Sequence, residues 1–481
     1  MHWNLLSSVL AGLLFTAPAL PTNGDPAPLA PSKPAIEIAS MKAHMGFLTS
    51  DELRGREAFT EDALKAAQYL RACLKQAGVA PGWNGEYFQP APFERTTELA
   101  VPSLVLTDNK GEAHALVFGS QFRVSGRRAL KSVAGLSIVE VQPKGEVTAE
   151  ELKGRAVLFE GSSSEWRTWW KKHESDGIAL VMRYRPGKKE RSVLAMSKPS
   201  VKEAWGKSQA AAAVPVMTLY GNLDPWIRGL VSASIVVQQT VETIYENNVV
   251  GVIPGVGTTE DPDLAKQVIV ISAHYDHIGM KSDEGTGEDL VHNGADDDAS
   301  GVVVLLELAE ALAAGEAPAR TIVFLLAAAE EKGILGTKYF VDNPPFPLEQ
   351  IVCNLNLEML GRPDELVGGS GKLWLSGFER SNLGPMFQEA GIPVLADKRP
   401  EMSFFSRSDN IVFVRKGVVG QTLSSYNMHK DYHQVSDEMA TIDFEHMAGT
   451  ARGALAAALL LSNAKDRPSW NEGEPKGFLP K

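Results

Sequence analysis

A chain of 481 residues, 44% hydrophobic and 22% charged, carries enough apolar material for two or three packed domains. Its 47 Lys and Arg stand against 59 Asp and Glu, a net charge of −12. That balance argues against nucleic-acid and anionic-membrane partners, both of which reward a basic surface.

The N-terminus reads as an export signal. Leu5 to Leu20 is mainly apolar and ends in Ala17-Pro18-Ala19, an A-x-A-like cleavage site, although no Lys or Arg precedes it. The expectation is a signal peptide over 1–19, a secreted or periplasmic location, and no stable membrane association after cleavage. Residues 20–38, rich in Pro and Ala, are expected to be a linker. The short basic clusters Arg127, Arg128 and Lys131, and Lys188, Lys189 and Arg191, read as solvated loop charges. Two cysteines, Cys73 and Cys353, imply no disulfide framework and read as buried free thiols.

Residues 39–98 open the main domain. Leu64, Ala67, Leu70 and Leu74 recur at helical spacing and predict a helix over Asp62–Ala77, stopped by Gly78. From 99 to 245 the texture changes to short β-type runs at Ser103–Leu106, Ala156–Phe159, Ile178–Met182, Val214–Leu219 and Ala233–Gln238. This predicts a β-rich insert without metal-ligand spacing, whose contribution is steric or recognitional. Trp166, Trp169 and Trp170 share one helical face, expected to be a packed core face.

Residues 246–466 alternate strand and helix, with 467–481 left as a tail. Val268–Ala273, Thr321–Ala328, Ile351–Leu357, Leu373–Ser376 and Val418–Leu423 read as strands. Gly301–Ala314, Gly333–Val341 and Phe444–Ala464 read as helices. Unbroken apolar strands alternating with helices predict an α/β fold with a mostly parallel central sheet flanked by helices.

Polar residues then gather where those strands end, the edge at which open α/β sheets bind ligands. His274-Tyr275-Asp276-His277 follows the first buried strand. A neutral imidazole is a good zinc ligand, and a carboxylate two residues on can fix its tautomer. Alone, H-x-D also suits a hydrogen-bonded structural histidine. Asp296-Asp297-Asp298 precedes a helix; three adjacent carboxylates repel one another unless cations or a helix N-terminus absorb the charge. After a strand-terminal histidine, the run points to a carboxylate shared by two metals. Glu330-Glu331 ends the second strand, and metal chemistry separates such a pair into one ligand and one general base. Glu358 ends the third strand, and Asp431-Tyr432-His433 with Asp437 supplies a late histidine and a nearby acid, with His429 a competing candidate.

The segments VIVISAHYDHIG, NGADDDASGVVVLLELAEAL, RTIVFLLAAAEEKGILGTKYF, NLNLEMLGR and DYHQVSDE together resemble metallopeptidase family 28. The N-terminal FLTSDELRGRE resembles the start of many bacterial members. ELKGRAVLFEG, DGIALVM and VPVMTL resemble the protease-associated domain inserted in them. The resemblance implies a secreted exopeptidase with two Zn2+ per chain. His274 would bind one zinc with Asp276 in support, Asp296 would bridge the pair, and Glu358 would join the His274 ion. Glu331 and His433 would complete the other site, and Glu330 would be the general base. Ser408-Asp409-Asn410 departs from the family's Ser-Asp-His, which leaves the role of Asp409 open. Peptides are the expected substrates, with no obligate protein partner. N-terminal cleavage is the leading expectation; carboxypeptidase, glutaminyl cyclase and a non-catalytic binding ectodomain are the alternatives.

Overall fold

The computed structural model describes residues 36–125, 130–185, 201–204, 214–221, 223–281 and 289–479. The signal peptide, nearly all of the linker, and the clusters at 127–128 and 188–191 fall outside them.

The core of the main domain is a run of four neighbouring parallel strands, Val419–Ser424, Ile351–Glu358, Val268–His274 and Thr321–Ala327. Every residue of Val268–His274 and Thr321–Ala327 is buried, as their unbroken apolar runs require of strands covered on both faces. One side is covered by the helices Glu61–Gln76, Gly301–Ala313 and Phe444–Asn463, and the other by Leu335–Asp342 and Asn410–Val414. Leu373–Leu375 joins the far edge antiparallel to Val419–Ser424, and Val394–Ala396 pairs beyond it. The mostly parallel α/β class read from the sequence is the class of this fold. Below the strand ends, three buried polar side chains are linked in a chain. Asn354 Nδ2 donates to Ser272 Oγ at 2.9 Å, and that hydroxyl donates to Asn356 Oδ1 at 2.7 Å. Polar residues inside a central sheet are tolerated on such terms.

The boundaries expected at 99 and 245 fall inside two long paired strands, Phe88–Asp108 and Leu230–Ile253, which run on without a loop. The second pairs with Thr321–Ala327 at one end and Val133–Val141 at the other. It therefore belongs to both the main sheet and a smaller one. That smaller sheet holds Val133–Val141, Ala156–Glu160, Leu180–Tyr184 and Val216–Leu219 in parallel. It also carries helices, so it is mixed rather than purely β. In the helix Ser163–His173, Trp166 and Trp169 are buried and pack on Phe159, a core face as expected. Among the described residues Cys73 and Cys353 are free, Cys353 buried and Cys73 only half-buried.

Candidate metal centre

Three of the four central strands lead into candidate donors, His274, Glu331 and Glu358. His274 closes Val268–His274, and its Nδ1 lies 3.1 Å from the main-chain carbonyl of Asp276. Donation of Nδ1–H to that oxygen leaves Nε2 as the free nitrogen, and Nε2 faces Asp297 Oδ1 at 3.3 Å. The Asp276 carboxylate has a different task from the support of His274 that the resemblance implied. It is 4.0 Å from His274 Nδ1 and accepts the backbone N–H groups of Glu330, at 2.9 Å, and Glu331, at 3.3 Å. Asp276 thus fixes the turn that carries both glutamates. Burial pushes its carboxyl up to about 7.

The three adjacent aspartates separate in role. Asp297 has extended backbone angles (φ −108°, ψ 97°) that interrupt the helical turn around it and aim its side chain at the strand ends. One oxygen faces His274, and the other lies 3.1 Å from His433 Nε2. Asp296, expected to bridge, is turned away: its Oδ1 accepts the N–H of Gly361 at 2.8 Å and its Oδ2 sits 3.0 Å from His429 Nε2. The aspartate that faces both His274 and His433 is thus one residue later than the resemblance implied. His429, the competing candidate for the last donor, is occupied by Asp296, whereas His433 meets Asp297 and Glu331. Asp298 ties the frame together by accepting the backbone N–H groups of Met359, Gly301 and His274 at 3.0, 3.1 and 3.3 Å.

Glu331 Oε1 lies 3.1 Å from His433 Nε2 and 3.0 Å from His277 Nδ1. Burial raises the Glu331 carboxyl, but the His277 and His433 imidazoles offset this and hold it below the usual range. Asp297 is likewise held well below the usual range, with burial outweighed by His274 and His433. Glu330 is different. Burial, reinforced by the charges of Asp409, Glu358 and Glu331, pushes its carboxyl well above the usual range. Burial also lifts Glu358, at the end of Ile351–Glu358, to about 7. Asp409, whose role the sequence left open, is fully buried and adds negative charge near Glu330. Such a concentration of buried carboxylates and imidazoles fits divalent cations. Glu331 Oε1 and both His277 ring nitrogens are buried without a hydrogen-bond partner, an expensive state for polar atoms unless a cation completes them.

Two features were not read from the sequence. Arg56 is 1% exposed, and its guanidinium donates to the carbonyls of Tyr275 at 2.9 Å, Asn293 at 2.7 Å, Gly294 at 3.1 Å and Leu48. It clamps the loops bearing His274 and Asp297 to the N-terminal segment. The FLTSDELRGRE resemblance pointed at the segment but not at this role. In the smaller unit, Asp108, Glu112 and His114 come together despite the expectation of no ligand spacing. There His114 stacks on Trp226, and Asp108 accepts the N–H groups of Lys110 and Glu112, which accounts for the grouping structurally.

This cluster of carboxylates and imidazoles lies at the C-terminal edge of a parallel sheet. Residues 248–458 match the profile of peptidase family M28. An aminopeptidase from Aneurinibacillus sp. strain AM-1 shares the fold, with a TM-score of 0.53 over 93% of this chain and 98% of that one, at 18% identity. A vacuolar membrane protease of Candida dubliniensis is 26% identical over 44% of this chain and 21% of its own length. A probable zinc metalloprotease of Pyrenophora teres f. teres is 34% identical over 24% of each. The chain thus spans about a fifth to a quarter of the length of these curated relatives.

The expected secreted or periplasmic location is corrected by the relatives, several of which are named vacuolar membrane proteases. Among the described residues no helix is long and apolar enough to cross a membrane.

Proposed function

We propose that this chain is a dinuclear-zinc exopeptidase that removes N-terminal residues from peptides. The observation that carries this reading is Asp297, one of whose oxygens faces His274 at 3.3 Å and the other His433 at 3.1 Å. His274, Asp297 and Glu358 would hold one ion, and Asp297, Glu331 and His433 the other. Two zinc ions there would polarise the scissile carbonyl and acidify the attacking water.

The chain's own residues supply the remainder. Glu330 is not needed as a ligand, and its raised affinity for a proton suits a general base. It takes the proton of the attacking water and returns it to the leaving amine. Asp276 holds the Glu330 backbone in position throughout. Carboxylates around the site favour a substrate with a free α-ammonium group, hence cleavage at the N-terminus. An aromatic-walled cavity beside Glu358, formed by Trp374, Phe404, Tyr426 and Tyr432, supports an apolar side chain at the cleaved residue.

The test is a panel of aminoacyl-anilides against C-terminally free dipeptides blocked at the N-terminus, with and without zinc. Zinc-dependent cleavage of the anilides alone is expected. Cleavage of the blocked dipeptides alone would replace this reading with a carboxypeptidase.

A further inference from the structure

His277 is the buried group that the dinuclear scheme leaves unused. Its side chain is fully buried, yet among the described residues neither ring nitrogen has a hydrogen-bond partner. Nδ1 points into the site, 3.0 Å from Glu331 Oε1 and 4.0 Å from Asp297 Oδ2. Its ring stands 5.6 Å from that of His433, edge to face.

The surroundings hold the ring there. The backbone N–H of His277 donates to the Arg56 carbonyl at 3.2 Å, and Glu57 pairs alongside. Gly294 makes the space, because a Cβ at that residue would fall 2.5 Å from Cγ of the His277 ring. An imidazole held firmly beside two carboxylates, with no hydrogen bond to either ring nitrogen among the described residues, is hard to explain as packing.

The spacing of the donors supplies an explanation. Four ligands at zinc distances of about 2.0–2.1 Å in tetrahedral array lie roughly 3.3 Å from one another. Around Glu331 and Asp297, the separations are 3.0 Å from His277 to Glu331, 3.1 Å from His433 to Glu331 and 3.1 Å from His433 to Asp297. The 4.0 Å from His277 to Asp297 is longer than these three.

We infer that His277 Nδ1 is a further ligand of the zinc held by Asp297, Glu331 and His433, an inference that rests on the dinuclear reading. Four protein donors then close that ion, as in structural zinc sites. The ion at His274 and Glu358 keeps the open position, so substrate is engaged from that side. The two ions differ in role: one is tightly held and shields the shared carboxylate, and the other is exchangeable.

The experiment uses the full chain loaded with zinc. X-ray absorption at the zinc edge counts imidazoles, and three shared between two ions are expected. Zinc titration against a competing chelator should show that His277→Ala weakens one of the two equivalents by about 100-fold or more and leaves the other nearly unchanged. Two imidazoles in the absorption spectrum, or unchanged affinity in the variant, overturns the inference and leaves the dinuclear reading intact. Fewer than two bound zinc ions in the unaltered protein overturns the dinuclear reading, and the inference with it. If His277→Ala does not fold, the imidazole count on the unaltered chain decides alone.

Discussion

The backbone N–H of Asp297 donates to Oδ2 of Asp437 at 3.1 Å, a contact between residues 140 apart in the chain. The same carboxylate accepts the N–H of Asp296 at 3.0 Å and is itself bound by Arg362 Nη2 at 2.8 Å. Asp437 therefore sets the backbone from which the Asp297 side chain reaches His274 and His433. Asp437→Ala should lower zinc affinity by about 10- to 100-fold, the usual effect of removing a group that orients a ligand. Competition with a chromogenic chelator measures it.

The one-residue correction within the aspartate run has its own test. Asp297→Asn should reduce the affinity for both zinc ions, because it removes a donor common to both. Asp296→Asn should keep both ions bound within a few-fold, since that side chain serves Gly361 and His429 instead. Metal content after dialysis compares the two variants. Equal losses would reinstate Asp296 as a bridging residue.

Glu330 and Glu331 should separate in the same way. Glu330→Gln should retain zinc while turnover falls by about 100- to 10,000-fold, because an amide accepts no proton from water. Glu331→Gln should instead lose zinc from the His433 side. Metal analysis beside anilide hydrolysis distinguishes the two results.

Proton linkage predicts how the metal-free chain responds to pH. Burial raises Glu358 and Asp276 to about 7. Burial lowers His433, but Asp297 and Glu331 outweigh it and bring that imidazole up to about 10. In both cases the folded chain binds more protons than the unfolded one, so stability falls as pH rises. The loss runs from about pH 4 to 7 through the carboxyls and from about 6.5 to 10 through His433. Asp297 and Glu331, whose affinities are lowered, are already ionised above pH 5 and do not oppose the trend there. The melting temperature of the metal-free protein should therefore decline from pH 5 to 9, while the increment from added zinc grows. Calorimetry at matched ionic strength tests both slopes.

Some of this arrangement was legible in the chain, for identifiable reasons. Strands such as Val268–His274 announce themselves because a sheet covered on both faces needs an unbroken apolar run, and the polar residues that interrupt the pattern at its end belong to the site. Asp296 and Asp297 could not be told apart, because neighbouring residues of identical chemistry differ only in backbone direction. That direction comes from Asp437 and from the extended conformation at Asp297. His277 was quoted within a motif but given no role, since nothing in its local spacing reveals that its ring is buried beside Glu331 and Asp297. The long strands at 88–108 and 230–253 were read as shorter pieces because their exposed and buried residues alternate irregularly.

The order of the donors along the chain carries a consequence for synthesis. They emerge as His274, Asp297, Glu331, Glu358 and finally His433, and Asp437 follows behind them. At about 5–20 residues per second, the roughly 160 residues between the first and the last occupy the ribosome for about ten to thirty seconds. From the synthesis of Glu331 onward the nascent chain holds Asp297 and Glu331 without the His433 imidazole that faces them both, while Arg56, made long before, is available to the carbonyls of the incoming loops. Completion of the proposed His433 site would thus be an event of the nearly finished polypeptide. A chain interrupted before His433 should reach quality control with an acidic, half-assembled interior.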